Sequence, residues 1–183
     1  MKFFLISLSF IILFFNNIAH SVDDSDVYPK MVYWSALKKG NLEKVSEMLE
    51  KGMSPNISDA SGMIPLAYAV GSNNKELITM LVENKADINK TFKNKMTPLI
   101  YASIKNRYNL VSHLIKEGAD INMQDHLGRT ALMISIEKNQ TDFVKEIIKF
   151  DFDKFITDHS GKTIYDYIEY SRNTAIVNAI KNL

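Results

Sequence analysis

Two histidines at matching positions are the strongest candidates for chemistry in this 183-residue chain. His126 follows Asp125 in one segment, and His159 follows Asp158 in a second segment 33 residues later. If repeated helices stack about 8–10 Å apart, both imidazoles lie on neighbouring loop tips, where a zinc ion would also need a carboxylate ligand. Exposed histidines that were copied with a duplicated segment need no metal, and we favour that interpretation.

Other catalytic patterns are missing or incomplete. No Ser-His-Asp arrangement follows from the residue spacing, and the zinc motif H-E-x-x-H does not occur. The segment from Ser160 to Thr163 resembles the end of a phosphate-binding loop, but that motif needs glycine where Ile156 stands. The chain has no cysteine, which excludes disulfides, thiolate metal sites and a cysteine nucleophile. We therefore predict no catalytic residue, no cofactor and no bound metal.

The first 21 residues have the layout of a signal peptide. A basic residue precedes an apolar run of 13 residues from Phe3 to Phe15, which is shorter than the roughly 20 residues that span a bilayer. Ala19 and Ser21 fit the small-residue pattern of a cleavage site, so we expect cleavage after Ser21. A lipid anchor would need a cysteine after the leader, so we expect an exported, soluble product with no stable membrane insertion.

The charge balance gives no reason to expect a polyanionic partner. The chain has 22 Lys and Arg against 21 Asp and Glu, and loss of Lys2 with the leader leaves 21 of each sign. The composition, 46% hydrophobic and 23% charged, is that of a globular domain. We therefore predict a single domain over residues 22–183, a monomer, that does not bind nucleic acid.

From Asp59 onward the sequence repeats with a constant period of 33 residues. The repeats start at Asp59, Phe92, Asp125 and Asp158, without insertion or deletion. A short motif follows each start in step, at Ile64-Pro65-Leu66, Thr97-Pro98-Leu99, Thr130-Ala131-Leu132 and Thr163-Ile164-Tyr165. Further along, the apolar pairs Met48-Leu49, Leu81-Val82, Leu114-Ile115 and Ile147-Ile148 align. Apolar residues precede them at helical spacing and mark a second helix, at Val45, Ile78, Val111, Val144 and Val177. Each unit is therefore predicted to contain two helices.

The residue types in this motif are those that a helix start requires. Thr97 is suited to cap the helix through its hydroxyl, and Pro98 suits the first turn because it has no N–H to leave unbonded. Ala69 and Ala102 are small where helices of neighbouring units must approach closely. Since no unit can bury its apolar face alone, the units must stack.

These segments resemble the ankyrin repeat, most closely at Thr97-Pro98-Leu99 and between Gly118 and Thr130. The resemblance covers residues 26–183 and implies an all-α ankyrin-repeat solenoid of about five helix-turn-helix units. Three internal units lie between two capping units, and the five are expected at 26–58, 59–91, 92–124, 125–157 and 158–183. The inner helices are expected at about 31–39, 64–72, 97–105, 130–138 and 163–171.

Two departures from the family pattern carry structural expectations. The segment from Phe150 to Phe155 replaces the usual glycine, alanine and asparagine, so we expect a distorted turn with Phe152 or Phe155 against the final unit. Asn56, Asn89 and Asn139 match the N-glycosylation pattern. Asn56 and Asn89 also end their repeats, where we expect the side chains to bind loop backbone instead.

The resemblance also implies where a partner binds, because ankyrin-repeat proteins usually bind along a concave face of loop tips and inner helices. Tyr68, Tyr101 and Ile134 share one position, where they either form an exposed ladder or support the loops. Lys105 and Lys138 share another position, which favours an acidic or mixed-charge partner. The predicted partner-binding residues are Met63, Tyr68, Lys93, Met96, Tyr101, Ile104, Lys105, His126, Leu127, Arg129, Ile134 and Lys138.

We therefore interpret the chain as a non-catalytic protein–protein interaction module that acts outside the cytoplasm, in the periplasm or after secretion. Two alternatives stay open. An uncleaved leader would make the protein a membrane-tethered adaptor, and zinc bound by His126 and His159 would make it a small metal-dependent enzyme on the same scaffold.

Overall fold

The computed structural model describes residues 24–183, which form five pairs of helices. The first helices of the pairs are α1 (Asp24–Lys39), α3 (Pro65–Gly71), α5 (Pro98–Ile104), α7 (Ala131–Glu137) and α9 (Ile164–Glu169). The second helices are α2 (Leu42–Glu50), α4 (Lys75–Glu83), α6 (Val111–Lys116), α8 (Thr141–Ile147) and α10 (Thr174–Lys181). The predicted signal peptide, residues 1–21, lies outside the described residues.

The helices stack as two rows. Each odd-numbered helix contacts the next odd-numbered helix, and these five make the inner row; the even-numbered helices make the outer row. In residues 24–183 the extended backbone pairs only at one isolated bridge, between Phe92 and Met96. The prediction of an all-α solenoid of five helix-turn-helix units is therefore confirmed. Within the same residues, no helix combines the length and apolar character needed to cross a lipid bilayer.

The inner helices α3, α5, α7 and α9 lie within two residues of their predicted bounds. Helix α1 differs, because it begins at Asp24 instead of near residue 31. Val27, Tyr28 and Met31 are exposed, by 41%, 73% and 65% of their surface.

One continuous apolar core runs through all five pairs. The motif leucines Leu66, Leu99 and Leu132 are buried in it. Three residues later, Ala69, Ala102 and Ser135 have no solvent exposure, as expected for small residues between closely packed helices. The Ser135 hydroxyl donates to the Leu132 carbonyl oxygen at 2.8 Å, so a polar group is tolerated there.

Threonine side chains begin the inner helices as predicted. The Thr97 hydroxyl accepts from the Ile100 N–H at 3.2 Å, and the Thr130 hydroxyl accepts from the Met133 N–H at 3.3 Å. Pro98 occupies the first helical position of α5. These bonds satisfy helix-terminal N–H groups that would otherwise be buried without partners.

A second recurrent position begins the outer helices. Asn41, Asn74 and Asn173 each accept through the side chain from the N–H three residues later. Arg107 stands at this position in the third unit and cannot accept, so the helix starts through a 3₁₀ turn, Tyr108–Leu110. Arg107 instead donates to the Gly71 carbonyl oxygen at 2.7 Å and links its unit to the preceding inner helix.

Asparagines at the repeat ends also join neighbouring units. Asn56 accepts from the Asp87 N–H at 2.8 Å and donates to the Lys85 carbonyl oxygen at 2.8 Å. Asn89 makes both contacts again one repeat later. The prediction that these side chains bind loop backbone is confirmed, and the backbone that they bind belongs to the next unit.

The expected distortion after α8 is confined to the helix end. In earlier units Gly52, Lys85 and Gly118 end the outer helix at positive φ, whereas Asp151 does not. The turn beyond is regular, because Asp153 N–H donates to Asn122 at 2.9 Å as in the other repeats.

Of the two phenylalanines in this turn, Phe152 is half-buried and packs against the apolar core. Phe155 does not, because its side chain is 80% exposed.

Gly128 and Gly161 share one repeat position and provide a matched test of how closely the units approach. Both have positive φ, 78° and 81°. A Cβ on Gly128 would lie 2.6 Å from His159 Cδ2 and 2.7 Å from His159 N, whereas nothing lies within 4 Å at Gly161. We predict that Gly161→Ala lowers the free energy of unfolding by about 1 kcal/mol through backbone strain. Gly128→Ala should cost roughly 1–3 kcal/mol more through overpacking.

Urea denaturation followed by circular dichroism measures both losses. Equal losses for the two variants would contradict the close contact between the third and fourth loop tips.

Candidate protein-binding face

The loop tips and the exposed side of the inner helices form one surface, which we call the inner face. Aspartate carboxylates hold the loops of the tips in place by accepting hydrogen bonds from the same loop. Asp59 accepts the N–H groups of Ser61 at 2.8 Å and Met63 at 2.9 Å through one oxygen, and the Tyr68 hydroxyl through the other. Asp158 makes the equivalent bonds in the last unit, including one from the Tyr167 hydroxyl at 2.8 Å.

Each of the two other tips lacks either the aspartate or the tyrosine, and other contacts hold the loop in place. Phe92 replaces the aspartate, and Tyr101 packs edge-on against its ring with centroids 5.6 Å apart. Ile134 replaces the tyrosine, and the Arg129 guanidinium binds Asp125 at 2.9 Å instead. The aromatic position therefore supports the loops, which is the second of the two roles considered for it.

These contacts change the acidity of the groups involved. Burial disfavours the Asp59 carboxylate, but hydrogen bonds from Tyr68, Met63 and Ser61 outweigh burial and lower the pKa of Asp59 to about 2. Burial and the bond to Asp59 raise the pKa of Tyr68 to about 12. Burial also disfavours the Asp125 carboxylate, yet the bonds from Arg129 and Leu127 lower its pKa. The tip carboxylates are therefore ionised and already occupied near neutral pH.

The predicted partner-binding residues differ widely in exposure. The exposed ones are Lys93, Lys105, His126, Leu127 and Lys138. The half-buried ones are Met63, Tyr68, Met96, Tyr101, Ile104 and Arg129. Ile134 has no solvent exposure, so its expected place on the surface is wrong. Met63 and Met96 were expected to be exposed but pack partly against the core.

The lysines of the inner face make no ion pair among the described side chains. The paired lysines are Lys44, Lys51 and Lys149, each with a glutamate of an outer helix. The lysines of the inner face that have no such partner are Lys38, Lys39, Lys93, Lys105, Lys138 and Lys162. Three of them lie over tyrosine rings: Lys105 is 5.5 Å from the Tyr101 centroid, Lys38 is 5.9 Å from the Tyr68 centroid, and Lys162 is 5.9 Å from the Tyr170 centroid.

Carboxylates of the same face are bound within the fold. Glu137 binds Arg129 at 2.7 Å, and Asp166 accepts both the N–H and the hydroxyl of Thr163 at 2.7 Å. The tip aspartates are used as described above. A chain with balanced total charge therefore presents a positively charged surface along its tips and inner helices.

Sequence reasoning missed four residues at the far end of this face. Lys162, Tyr167, Tyr170 and Arg172 line an open cavity of about 520 Å³ between α7 and α9. Tyr170 is 78% exposed. Tyr167 occupies the repeat position of Tyr68, so carrying the same register into the last unit would have found it.

Sequence reasoning also missed Trp34 at the near end. It lines a cavity of about 590 Å³ with Tyr68, and their ring centroids are 5.8 Å apart. In the three internal units the position of Trp34 is held by the buried residues Ala67, Ile100 and Met133, so the repeat pattern does not mark it as a surface position.

The histidines were the other candidates for chemistry. Among the described residues, no cluster of three or more histidine, aspartate or glutamate side chains is placed to hold a metal ion. His126 and His159 are exposed, and their backbone N–H groups donate to Asn94 and Leu127 in the preceding tips at 2.9 Å. His113 lies on an outer helix, 3.1 Å from the Thr79 hydroxyl.

Stacked helix pairs with projecting tips define the class of repeat-built interaction scaffolds. A family model described as ankyrin repeats in three copies matches residues 12–92, 33–125 and 99–182. The chain therefore belongs to the ankyrin-repeat family, whose members are generally non-catalytic modules that mediate protein–protein interactions. A search of curated proteins gives no match.

The tip carboxylates predict how stability depends on pH. The folded pKa of Asp59, about 2, lies below its ordinary value of 3.8. Its ionised form is therefore stabilised by folding, and this contribution is complete above about pH 4 and lost as pH falls toward 2. We predict that Asp59→Asn loses less unfolding free energy than the wild type between pH 4 and pH 2.

Urea denaturation at a series of pH values measures this difference. Asp151→Asn is the control, since Asp151 is an exposed loop residue with no described side-chain bond. If the free energy of unfolding fell equally for Asp59→Asn and the wild type between pH 4 and pH 2, the assigned role of Asp59 would be contradicted.

Proposed function

We propose that this protein is a non-catalytic binding module whose inner face holds an acidic segment of a protein partner. The family supports the general role of protein binding. The single observation that carries the finer proposal is that, within the described part of the chain, the inner-face lysines form no ion pair while the carboxylates beside them are bound internally.

A partner on the inner face would contact lysines that form no ion pair among the described residues. Placing a carboxylate beside Lys105 or Lys138 breaks no existing ion pair of the described residues, so complementary charge adds attraction without first disrupting the fold. Asp59, Asp125 and Asp158 stay ionised, but their oxygens accept hydrogen bonds within the tips and are not available to bind a basic partner. Basic or neutral partners would gain nothing from this arrangement.

The proposed place of action is outside the cytoplasm. Its support is the leader-like layout of residues 1–21, with an apolar run too short to span a bilayer and a cleavage pattern ending at Ser21. The absence of cysteine is compatible with an oxidising compartment, since no thiol is left to react there.

Charge reversal tests the binding proposal. We predict that Lys105→Glu combined with Lys138→Glu weakens binding of the captured partner at least about ten-fold, or ~1.4 kcal/mol. The wild-type affinity should also fall as salt is raised, because exposed charges are screened. Affinity capture from the extracytoplasmic fraction, followed by titration of the recovered partner by calorimetry, measures both effects.

The control carries the same change of charge on the outer row. Lys116→Glu combined with Lys145→Glu alters two exposed lysines of α6 and α8, and its affinity should stay close to that of the wild type. Equal losses for both double variants, or an affinity independent of salt, would overturn the acidic-partner proposal.

Export predicts a defined mature product. We expect N-terminal sequencing of the protein from its native source to begin at Val22, and the protein to be recovered from the extracytoplasmic fraction. Recovery from the membrane fraction with Met1 retained would support the tethered adaptor and contradict export as a soluble protein.

A further inference from the structure

The first unit lacks the tyrosine that supports the loops in three other units. Ser35 stands at the repeat position of Tyr68, Tyr101 and Tyr167. Since its side chain is short and exposed, the space beside α1 is left open as the cavity of about 590 Å³. We call this cavity the Trp34 pocket; Met31, Trp34, Ser35, Lys38, Ser61 and Tyr68 line it.

The pocket has an apolar wall. The rings of Trp34 and Tyr68 meet at 47° with centroids 5.8 Å apart, and both are only half-buried. Met31 lies beside them with 65% of its surface exposed. Large apolar side chains left exposed together are unfavourable unless something covers them, and aromatic residues are enriched where partners bind.

The rim of the pocket is cationic. Lys38 places its ammonium group 5.9 Å from the Tyr68 centroid, and Lys39 lies beside it. Asp59 also lines the pocket and is ionised, but the two lysines outnumber it, so the rim keeps a net positive charge. Lys93 of the next tip extends the same positive charge along the inner face, with its side chain 3.5 Å from where a Cβ on Gly62 would lie.

We propose that the Trp34 pocket binds one apolar side chain of the partner, flanked by acidic residues that lie against Lys38 and Lys39. This inference rests on the proposed function and adds the position at which the acidic segment is anchored. The apolar contact fixes the register of the segment along the face, while the lysines supply attraction that depends little on its sequence.

Peptide display on the wild-type protein tests the anchor with defined probes. We expect the selected peptides to share one aliphatic or aromatic residue flanked by Asp or Glu. A synthetic selected peptide without tryptophan should shift the emission of Trp34, which is the only tryptophan of the chain. Replacing the apolar residue of that peptide by serine should weaken binding about ten-fold or more, as expected for one buried apolar side chain.

Ser35→Tyr fills the pocket with a residue that three other units accommodate at the same position. We expect it to keep the circular dichroism spectrum and to weaken the selected peptide about ten-fold. Ser58→Tyr, at an exposed serine that does not line the pocket, is the matched control and should bind like the wild type. Met31→Gln should weaken binding by a smaller factor, and Tyr28→Gln on the same helix should not.

The outcomes separate this inference from the proposed function. Acidic peptides without an apolar preference, or peptides unaffected by Ser35→Tyr, would overturn the anchor and leave the acidic-partner proposal standing. Apolar peptides that are sensitive to Ser35→Tyr but insensitive to salt and free of acidic residues would keep the pocket and overturn the acidic partner. Failure to select any peptide would overturn both.

Discussion

Stacking of one helix pair on the next is the interaction on which the whole structure depends. A single pair exposes an apolar side that only its neighbour can cover, so the units must repeat in a fixed register. The constant 33-residue period meets that requirement, and Ala69, Ala102 and Ser135 keep the inner helices close enough for leucines to fill the space between them. Asn56 and Asn89 add backbone contacts that align each unit with the next.

The same register determines the chemistry of the surface. Every tip must be held shut, and the fold does this with an aspartate and tyrosine, with a phenylalanine and tyrosine, or with an aspartate and arginine. The carboxylates at the tips are therefore occupied by bonds within the fold, whereas the lysines at the ends of the inner helices form no such bonds among the described residues. A positively charged face results from this division of roles in a chain whose total charge is nearly balanced.

Much of the fold could be predicted because the repeat signal reports backbone register directly. Thr97 and Pro98 begin a helix wherever they stand, so their roles followed from local chemistry. Exposure was harder, because it depends on what neighbouring units place on top of a residue. Ile134 shares its position with Tyr68 but cannot bind a tip carboxylate, and Arg129 takes over that bond while Ile134 joins the core. Trp34 was missed for the converse reason, since its position is buried in the three internal units and partly open in the first.

Hydrogen exchange with mass spectrometry shows whether a partner binds along the inner face. In a complex with the captured partner, we expect slower amide exchange at the tips, residues 59–63, 92–96 and 125–129, and at the inner helices that follow them. Exchange in α4, α6 and α8 should be unchanged. Protection confined to those outer helices, with the tips exchanging as in the free protein, would contradict the account.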